Sequence, residues 1–475
     1  MARIFVLIAF AFAVNSSSAQ KLWTLQDCID KAFQNNIQLQ QSELNITLAE
    51  LDKRESVGRT LPSLNGSATH GYNWGQRIDP FTNTFATQRI RSNSLGINSS
   101  VSLFTGLQNY NTIQLSELNV QARQADQEAA ENDVALSVAS AYLTVLFSKE
   151  LLNIAESNLA STNEQVDRIA KMVDAGQLPE GNLSDILAQQ ALDEANVTSS
   201  QNNLDLAYLT LAQLILLSPD EYAGFEVADP PLEELEASGL PSDPNAALSY
   251  ALSNFPQMVG ARLNVESAVK GVQVAQGNLS PRLSASYSYG SGYSGAALVG
   301  VGTPQLIDVP LGLDPETGEI IWDTQTVYTE FDTKPFGDQI QENVNSSLFF
   351  SLQIPIFNGF STQSTIERAE VNLKSAQLAE ESTKLALEQD IQRAYADAKA
   401  AYNNFLAGEK SVSASQQAFD YAQVRFDEGV INLVDYNIAK VRLDNSKADW
   451  LRNKYDYLFR LKIMEFYQGK ALTLR

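Results

Sequence analysis

Residues able to do chemistry are scarce in this sequence. His70 is the only histidine and Cys28 the only cysteine among 475 residues. A Ser-His-Asp site would have to use His70, which falls on the apolar side of an alternating segment. No HExxH, Cys-x-x-Cys, P-loop or dinucleotide glycine pattern is present. His70 therefore reads as an interfacial or packing residue. The acidic stretch LDPETGEI, Leu313 to Ile320, lacks the alternating ligands of a calcium loop and reads as a turn in a surface loop. What remains is a pair of carboxylates, Asp185 and Asp435, each a few residues after a glycine, Gly176 and Gly429. Those glycines read as helix C-caps and the aspartates as N-caps of the helices that follow. We expect no enzyme, no metal site and no cofactor.

Composition narrows the class. Lys and Arg number 33 against 56 Asp and Glu, a formal charge of -23, and no basic cluster stands out. Such a surface repels phosphate, which argues against nucleic acid. At the N-terminus Arg3, the apolar run Ile4 to Val14 and Ser17-Ser18-Ala19 predict a signal peptide over residues 1–19, with a mature start near Gln20. One cysteine excludes an intramolecular disulfide. No later run approaches ~18 uninterrupted apolar residues, so no transmembrane helix is expected in the mature chain. That leaves a soluble exported protein or one that spans a membrane with β-strands.

The elements that would position Asp185 and Asp435 come in two copies. Phe104-x-Gly106 matches Phe357-x-Gly359, Ala141-Tyr142 matches Ala394-Tyr395, and Gly176 matches Gly429, each pair 253 positions apart. Pro62 and Pro281 begin matching segments, at the point where a helix must stop and a strand start. The first repeat is read as residues 20–217: a half helix over 25–59, strands over 61–74 and 95–104, a long helix over 106–175 and a half helix over 183–217. A Pro-rich acidic linker follows over 218–244. The second repeat, 245–475, has a half helix over 245–276, strands over 281–293 and 344–357, a long helix over 359–428 broken only at Gly408, and a half helix over 433–467. Leu115, Leu118, Ala122, Ala125, Ala129, Leu136, Ala139, Leu143 and Leu146 form a heptad seam along the first long helix.

The four strand segments alternate. Leu64, Ala68, His70 and Tyr72 share one side, as do Leu95, Ile97, Val101 and Leu103; Leu283, Ala285, Tyr287 and Tyr289; and Leu348, Phe350, Leu352 and Ile354. The other side carries small Ser, Asn and Gly with little charge. A sandwich sheet would place more charge there, so an outer-membrane strand is the better reading.

The ordered junctions LPSL, LFTG, SPRL and IFNG, with Ala-Tyr inside each long helix, resemble the TolC-type outer-membrane efflux family across essentially the whole mature chain. The resemblance implies an α+β membrane protein in which three chains close a twelve-stranded barrel, continued in the periplasm by a coiled-coil helical barrel. Strand count supports the trimer separately, since four strands cannot close a barrel. Pro62, Gly106, Pro281 and Gly359 would mark the junctions between barrel and helices. The family further implies a homotrimer in outer-membrane lipid, a periplasmic adaptor and an inner-membrane pump of the RND or ABC type. The chain would be the exit duct of an efflux or type I secretion system.

By the same resemblance the tips would touch the adaptor through Gly176, Leu178, Gly429 and Leu433 and form the periplasmic gate with Asp185, Asp435 and Phe426. Asp435 matches a constriction carboxylate, and the second such position falls on Ile438. Phe426 and Ile431 occupy latch positions that the family fills with Tyr and a basic residue, while Asp185 keeps the acidic one. That leaves Arg425 or Arg168, or apolar contacts, to hold the mouth. The competing function is an exported scaffold of coiled-coil helices that bridges envelope layers without conducting.

Overall fold

The computed structural model describes residues 22–86, 89–229 and 243–470; the expected signal peptide, residues 230–242 of the linker and the last five residues lie outside them. The chain begins with β1 (Leu22–Trp23), α1 (Leu25–Asn35), α2 (Ile37–Gly58) and β2 (Ser63–Asn73). The two-residue strands β3 (Arg77–Ile78) and β4 (Phe85–Ala86) lead to β5 (Ile90–Phe104), then α3 (Gln108–Asp174) and α4 (Glu180–Leu214). After α5 (Pro219–Tyr222) and β6 (Glu226–Val227) come α6 (Pro244–Asn254), α7 (Pro256–Gln276) and β7 (Arg282–Ser294). Four further strands precede α8 (Phe336–Glu342): β8 (Leu298–Val301), β9 (Gln305–Leu313), β10 (Ile320–Val327) and β11 (Glu330–Thr333). The chain closes with β12 (Asn345–Gln353), α9 (Ser361–Asp427) and α10 (Leu433–Tyr467). It divides into two compact units, Met1–Ala49 with Leu118–Val265 and Ser375–Arg475, and Glu50–Glu117 with Glu266–Lys374.

The second unit holds a four-stranded antiparallel sheet in the order β12-β7-β5-β2. Its register brings the four sequence alternations onto one face. Leu348 lies opposite Tyr287 and Phe350 opposite Ala285; Ala285 in turn faces Val101, Tyr289 faces Ile97, and Leu95 faces Ala68. The other face aligns Ser347, Ser288, Asn98 and Asn65 in one row and Ser351, Ser284 and Ser102 in another, with Phe349 and, at the start of β5, Ile90 as apolar exceptions. His70 belongs to the apolar face, where its ring meets Tyr72 edge-on and Nδ1 bonds the Asn93 side chain.

Strands β8 and β11 pair, as do β9 and β10, in the segment left unassigned by the sequence. At the β9–β10 turn the Asp314 carboxylate accepts bonds from the Glu316 and Thr317 amides, so LDPETGEI is a tight turn. A buried hub ties the loop after β2 to the end of β7. Asp79, 2% exposed, accepts bonds from the Phe81 and Thr82 amides and, at 2.6 Å, from Ser294 Oγ. Burial raises the Asp79 pKa, but these bonds outweigh it and hold the carboxyl below its ordinary value. Gln339 of α8 completes the hub by bonding both backbone groups of Ser294.

Each strand-to-long-helix joint consists of two consecutive residues in the left-handed region: Gly106 and Leu107 in the first copy (φ 64° at both), Gly359 and Phe360 in the second (φ 61° and 66°). Glycine takes that conformation freely; leucine and phenylalanine do not, so both joints carry local strain. The first joint is also crowded. A Cβ at Gly106 would lie 2.4 Å from Ser280 Cβ and 2.5 Å from Gly277 O, whereas one at Gly359 would meet nothing within 4 Å. Gln108 bonds Val274 O and accepts from Arg282, stitching α3 to the end of α7 and the start of β7.

In the helical unit two expectations need correction. The half helices expected over 25–59 and 245–276 are each broken once. Asn36 ends α1 in an extended conformation and caps α2 by accepting bonds from the Gln38 and Leu39 amides. Phe255 is extended because it precedes Pro256, which opens α7. Conversely, α9 runs through Gly408 unbroken. That glycine is a close-approach site, where a Cβ would come within 3.2 Å of Trp450 Cα.

The expected heptad seam of α3 supplies core residues, with Ala122, Ala125, Ala139, Leu143 and Leu146 all buried. One 18-residue window of α3 is apolar enough by length and composition to cross a bilayer, and half of that window is buried inside the protein. Tyr142 explains one repeat of Ala-Tyr. It is 2% exposed, and its hydroxyl sits 3.1 Å from Trp23 O and 2.6 Å from Ala228 O, pinning the parallel β1–β6 pair against α3.

Candidate functional site at the helix tips

Both helix tips turn by the same hydrogen bonds. After α3, Gly176 N bonds Val173 O and Gln177 N bonds Met172 O; after α9, Gly429 N bonds Phe426 O and Val430 N bonds Arg425 O. With φ of 71° and 70°, Gly176 and Gly429 form matching Schellman turns. The next helices are started by other residues than expected. Pro179 precedes α4, and Asn432 caps α10 by accepting from the Asp435 amide at 2.8 Å. Asp435 therefore lies in the first turn of α10, where a carboxylate favours the helix dipole, and Asp185 lies within the second turn of α4. Neither is an N-cap. Both are exposed, and their carboxylates make no hydrogen bond or ion pair among the described residues.

The apolar members of the predicted site come together. Buried Ile169, Ile186, Leu433 and Tyr436 form a cluster joined by half-buried Leu178, Phe426, Ile431 and Phe419. Leu433, at 2% exposed, anchors this cluster and offers no outer surface; Val430 and Val434, 64% and 56% exposed, stand in its place. Phe426 packs on Tyr436 with ring centroids 5.0 Å apart.

Polar contacts at the tip bring in Gln165, Tyr436 and Asp427, which the sequence did not single out, and Arg168, which it did. Gln165 Nε2 donates to Tyr436 Oη at 2.6 Å, and Arg168 pairs with Asp427, tying α3 to α10 and to α9. Burial, helped by Asp427, pushes the Tyr436 hydroxyl up to about 12, so it stays protonated at any physiological pH. Of the two arginines left open by the sequence, Arg168 is the one engaged. Tyr436 was findable: Leu433, Tyr436, Lys440 and Leu443 are all buried at 3-4-3 spacing, one seam of α10. Farther round that helix Val434, Ile438 and Val441 form an apolar stripe that the other described residues leave exposed.

The chain that carries these two tips, on two long helices that each follow a strand, is similar to known proteins. A model of the outer membrane efflux protein family covers residues 28–215 and 247–462. The chain belongs to this family.

Among relatives of this outer membrane efflux protein, the efflux protein BepC of Brucella suis is 24% identical over 260 residues, 55% of this chain and 53% of BepC. TolC of Escherichia coli is 22% identical over 445 residues, 93% of this chain and 81% of TolC. The first match thus spans about half the length of its relative. Among solved structures, the outer membrane protein VceC of Vibrio cholerae superposes with a TM-score of 0.71 at 18% identity, over 94% of this chain and 96% of VceC. The open MtrE channel of Neisseria gonorrhoeae gives 0.70 at 18% identity, over 95% and 90%. At these identities the likeness establishes the fold. Family membership locates the protein in the outer membrane and supports a role that is not enzymatic.

Proposed function

We propose that three copies of this efflux protein close a twelve-stranded barrel in the outer membrane, and that the helical parts form a periplasmic duct. This channel would carry solutes to the exterior from an inner-membrane RND- or ABC-type pump, received through a periplasmic adaptor. The observation that carries the reading is the sheet. Four strands have one apolar face and one face of Ser, Asn and Gly, and β12 and β2 stand at its edges with no further partner among the described residues. Edges of that kind are not tolerated in lipid, and closure by identical chains removes them. Heptad stripes left bare on the helices point the same way: Ile37, Leu44, Leu48 and Leu51 on α2, and Val371, Leu378 and Leu385 on α9, are all at least 48% exposed in the single chain.

At the periplasmic end the tips would narrow the duct and meet the adaptor, with Phe426 inside the gate and Asp185 and Asp435 on its surface. Three Asp435 carboxylates around one axis favour cations. Replacing Asp435 by alanine is expected to lower the cation-to-anion permeability ratio by about twofold or more without loss of assembly. Reversal potentials across a salt gradient measure this. Cell fractionation tests the reading itself: detergent-dependent recovery from the outer membrane as a heat-labile trimer supports it. A mature chain soluble in the periplasm as an elongated monomer would instead favour the scaffold.

A further inference from the structure

One turn along α10 from the tip residue Tyr436, a charged cluster lies sealed inside the helical unit. Lys440 of α10 and Asp193 of α4 have side chains only 6% and 9% exposed, with Nζ 3.6 Å from Oδ2. The ammonium also donates to Thr162 Oγ1 and, at 3.3 Å, to Asn158 O, both on α3. Thr162, fully buried, donates to Asp193 Oδ2 at 2.6 Å, and Gln189 Nε2 donates to the other oxygen at 2.8 Å. One turn beyond Lys440, burial pushes the Asp444 carboxyl up, against the opposing pull of Lys440 and Lys447. Three helices therefore meet on one ammonium group.

Its neighbours along α10, Leu433, Tyr436 and Leu443, are apolar and equally buried. A leucine at 440 would continue that seam. A buried ion pair adds little net stability, because the desolvation of two charges offsets their attraction; removing one partner is far worse, since it strands the other. Such a pair makes docking of α10 on α3 and α4 conditional. When the helices part, both charges regain water, so separation is penalised less than at an apolar seam.

We propose that Lys440, through Asp193 and Thr162, is a positioning residue for the periplasmic mouth. The pair keeps α10 docked in one register while leaving undocking of the α9–α10 hairpin accessible, and undocking widens the duct. This rests on the channel reading above.

The test is single-channel recording in planar bilayers on purified full-length protein and three variants, each first scored for heat-labile trimer. Lys440→Met strands Asp193 and is expected to raise open probability at least about tenfold, because an unpaired buried carboxylate favours the undocked state. The double change Lys440→Met with Asp193→Leu replaces the pair by apolar groups and is expected to drop open probability below that of the wild type. Thr162→Val removes one hydrogen bond from each charge and no charge, and is expected to shift open probability upward by a smaller factor. A merely structural role would lower trimer yield in all three and leave the open probability of assembled channels unchanged; that result overturns the proposal. If Lys440→Met does not assemble, the opposite shifts of the other two variants still decide it, and the absence of those shifts refutes it. Wild-type protein that conducts nothing would instead refute the channel reading.

Discussion

Replacing Gly106 by alanine is expected to prevent the joint between β5 and α3 from forming, while the same change at its repeat partner Gly359 is tolerated. Both glycines sit at positive φ, 64° and 61°, so alanine at either position meets the left-handed penalty of about 1–2 kcal/mol. At Gly359 nothing further opposes it, since the new Cβ has no neighbour within 4 Å. At Gly106 the methyl would overlap Ser280 Cβ at 2.4 Å and the Gly277 carbonyl at 2.5 Å. A carbonyl in a short helical turn cannot rotate aside. The turn is itself held by Gln108, whose side chain lies where a Gly277 Cβ would be, and by Arg282 bonded to Gln108. Overpacking of this kind adds about 1–3 kcal/mol, for a total of about 2–5 kcal/mol at Gly106. Yield of heat-labile oligomer in the membrane, followed by thermal denaturation of what assembles, would read the difference. Equal loss from both substitutions would mean that the crowding at Gly106 relaxes freely.

A second large effect is expected on the bare helical stripes. Leu378 is 60% exposed in the single chain, so a glutamate there removes almost no contact within the chain and should leave its helix content unchanged. In the proposed assembly the stripe of Val371, Leu378 and Leu385 would lie against a neighbouring copy, and a carboxylate at its centre would be buried without a partner. The cost is several kcal/mol per interface and recurs at each interface, enough to weaken association by at least about a thousandfold. Leu378→Glu is thus expected to give folded monomer in detergent, whereas Gln377→Glu, one residue off the stripe and also exposed, should remain oligomeric. Sedimentation velocity in detergent separates the outcomes. Unchanged mass for both variants would show that the stripe faces solvent.

The sequence exposed the plan of this fold because its signals are periodic. Alternation of Leu64, Ala68 and His70 against Ser63, Ser67 and Thr69 survives directly as the two faces of β2, and Ala122, Ala125, Ala139, Leu143 and Leu146 of the expected seam survive as buried residues of α3 while Ala129 and Leu136 are only half-buried. What it hid depends on single contacts. Gly408 looks like a break because glycine is a poor helix former, yet the reason for it is Trp450 on another helix, 42 positions away. Asp185 and Asp435 looked like caps because Asp caps well, but Pro179 and Asn432 stand earlier in each turn and start the helices first. At the candidate site the exposed carboxylates and Phe426 were singled out, and the 3-4-3 spacing on α10 offered a signal for Tyr436. Gln165 and the Lys440 cluster gave none, since a polar residue on a buried seam shows its purpose only when its partners on other helices are placed beside it.

An aqueous path through the outer membrane must carry ions when the protein is placed in a bilayer. The most direct measurement is the current carried by the purified wild-type protein added to a planar lipid bilayer. Discrete, uniform conductance steps with a cation preference are predicted. A protein recovered from the outer membrane that leaves bilayer conductance indistinguishable from the protein-free baseline would contradict it.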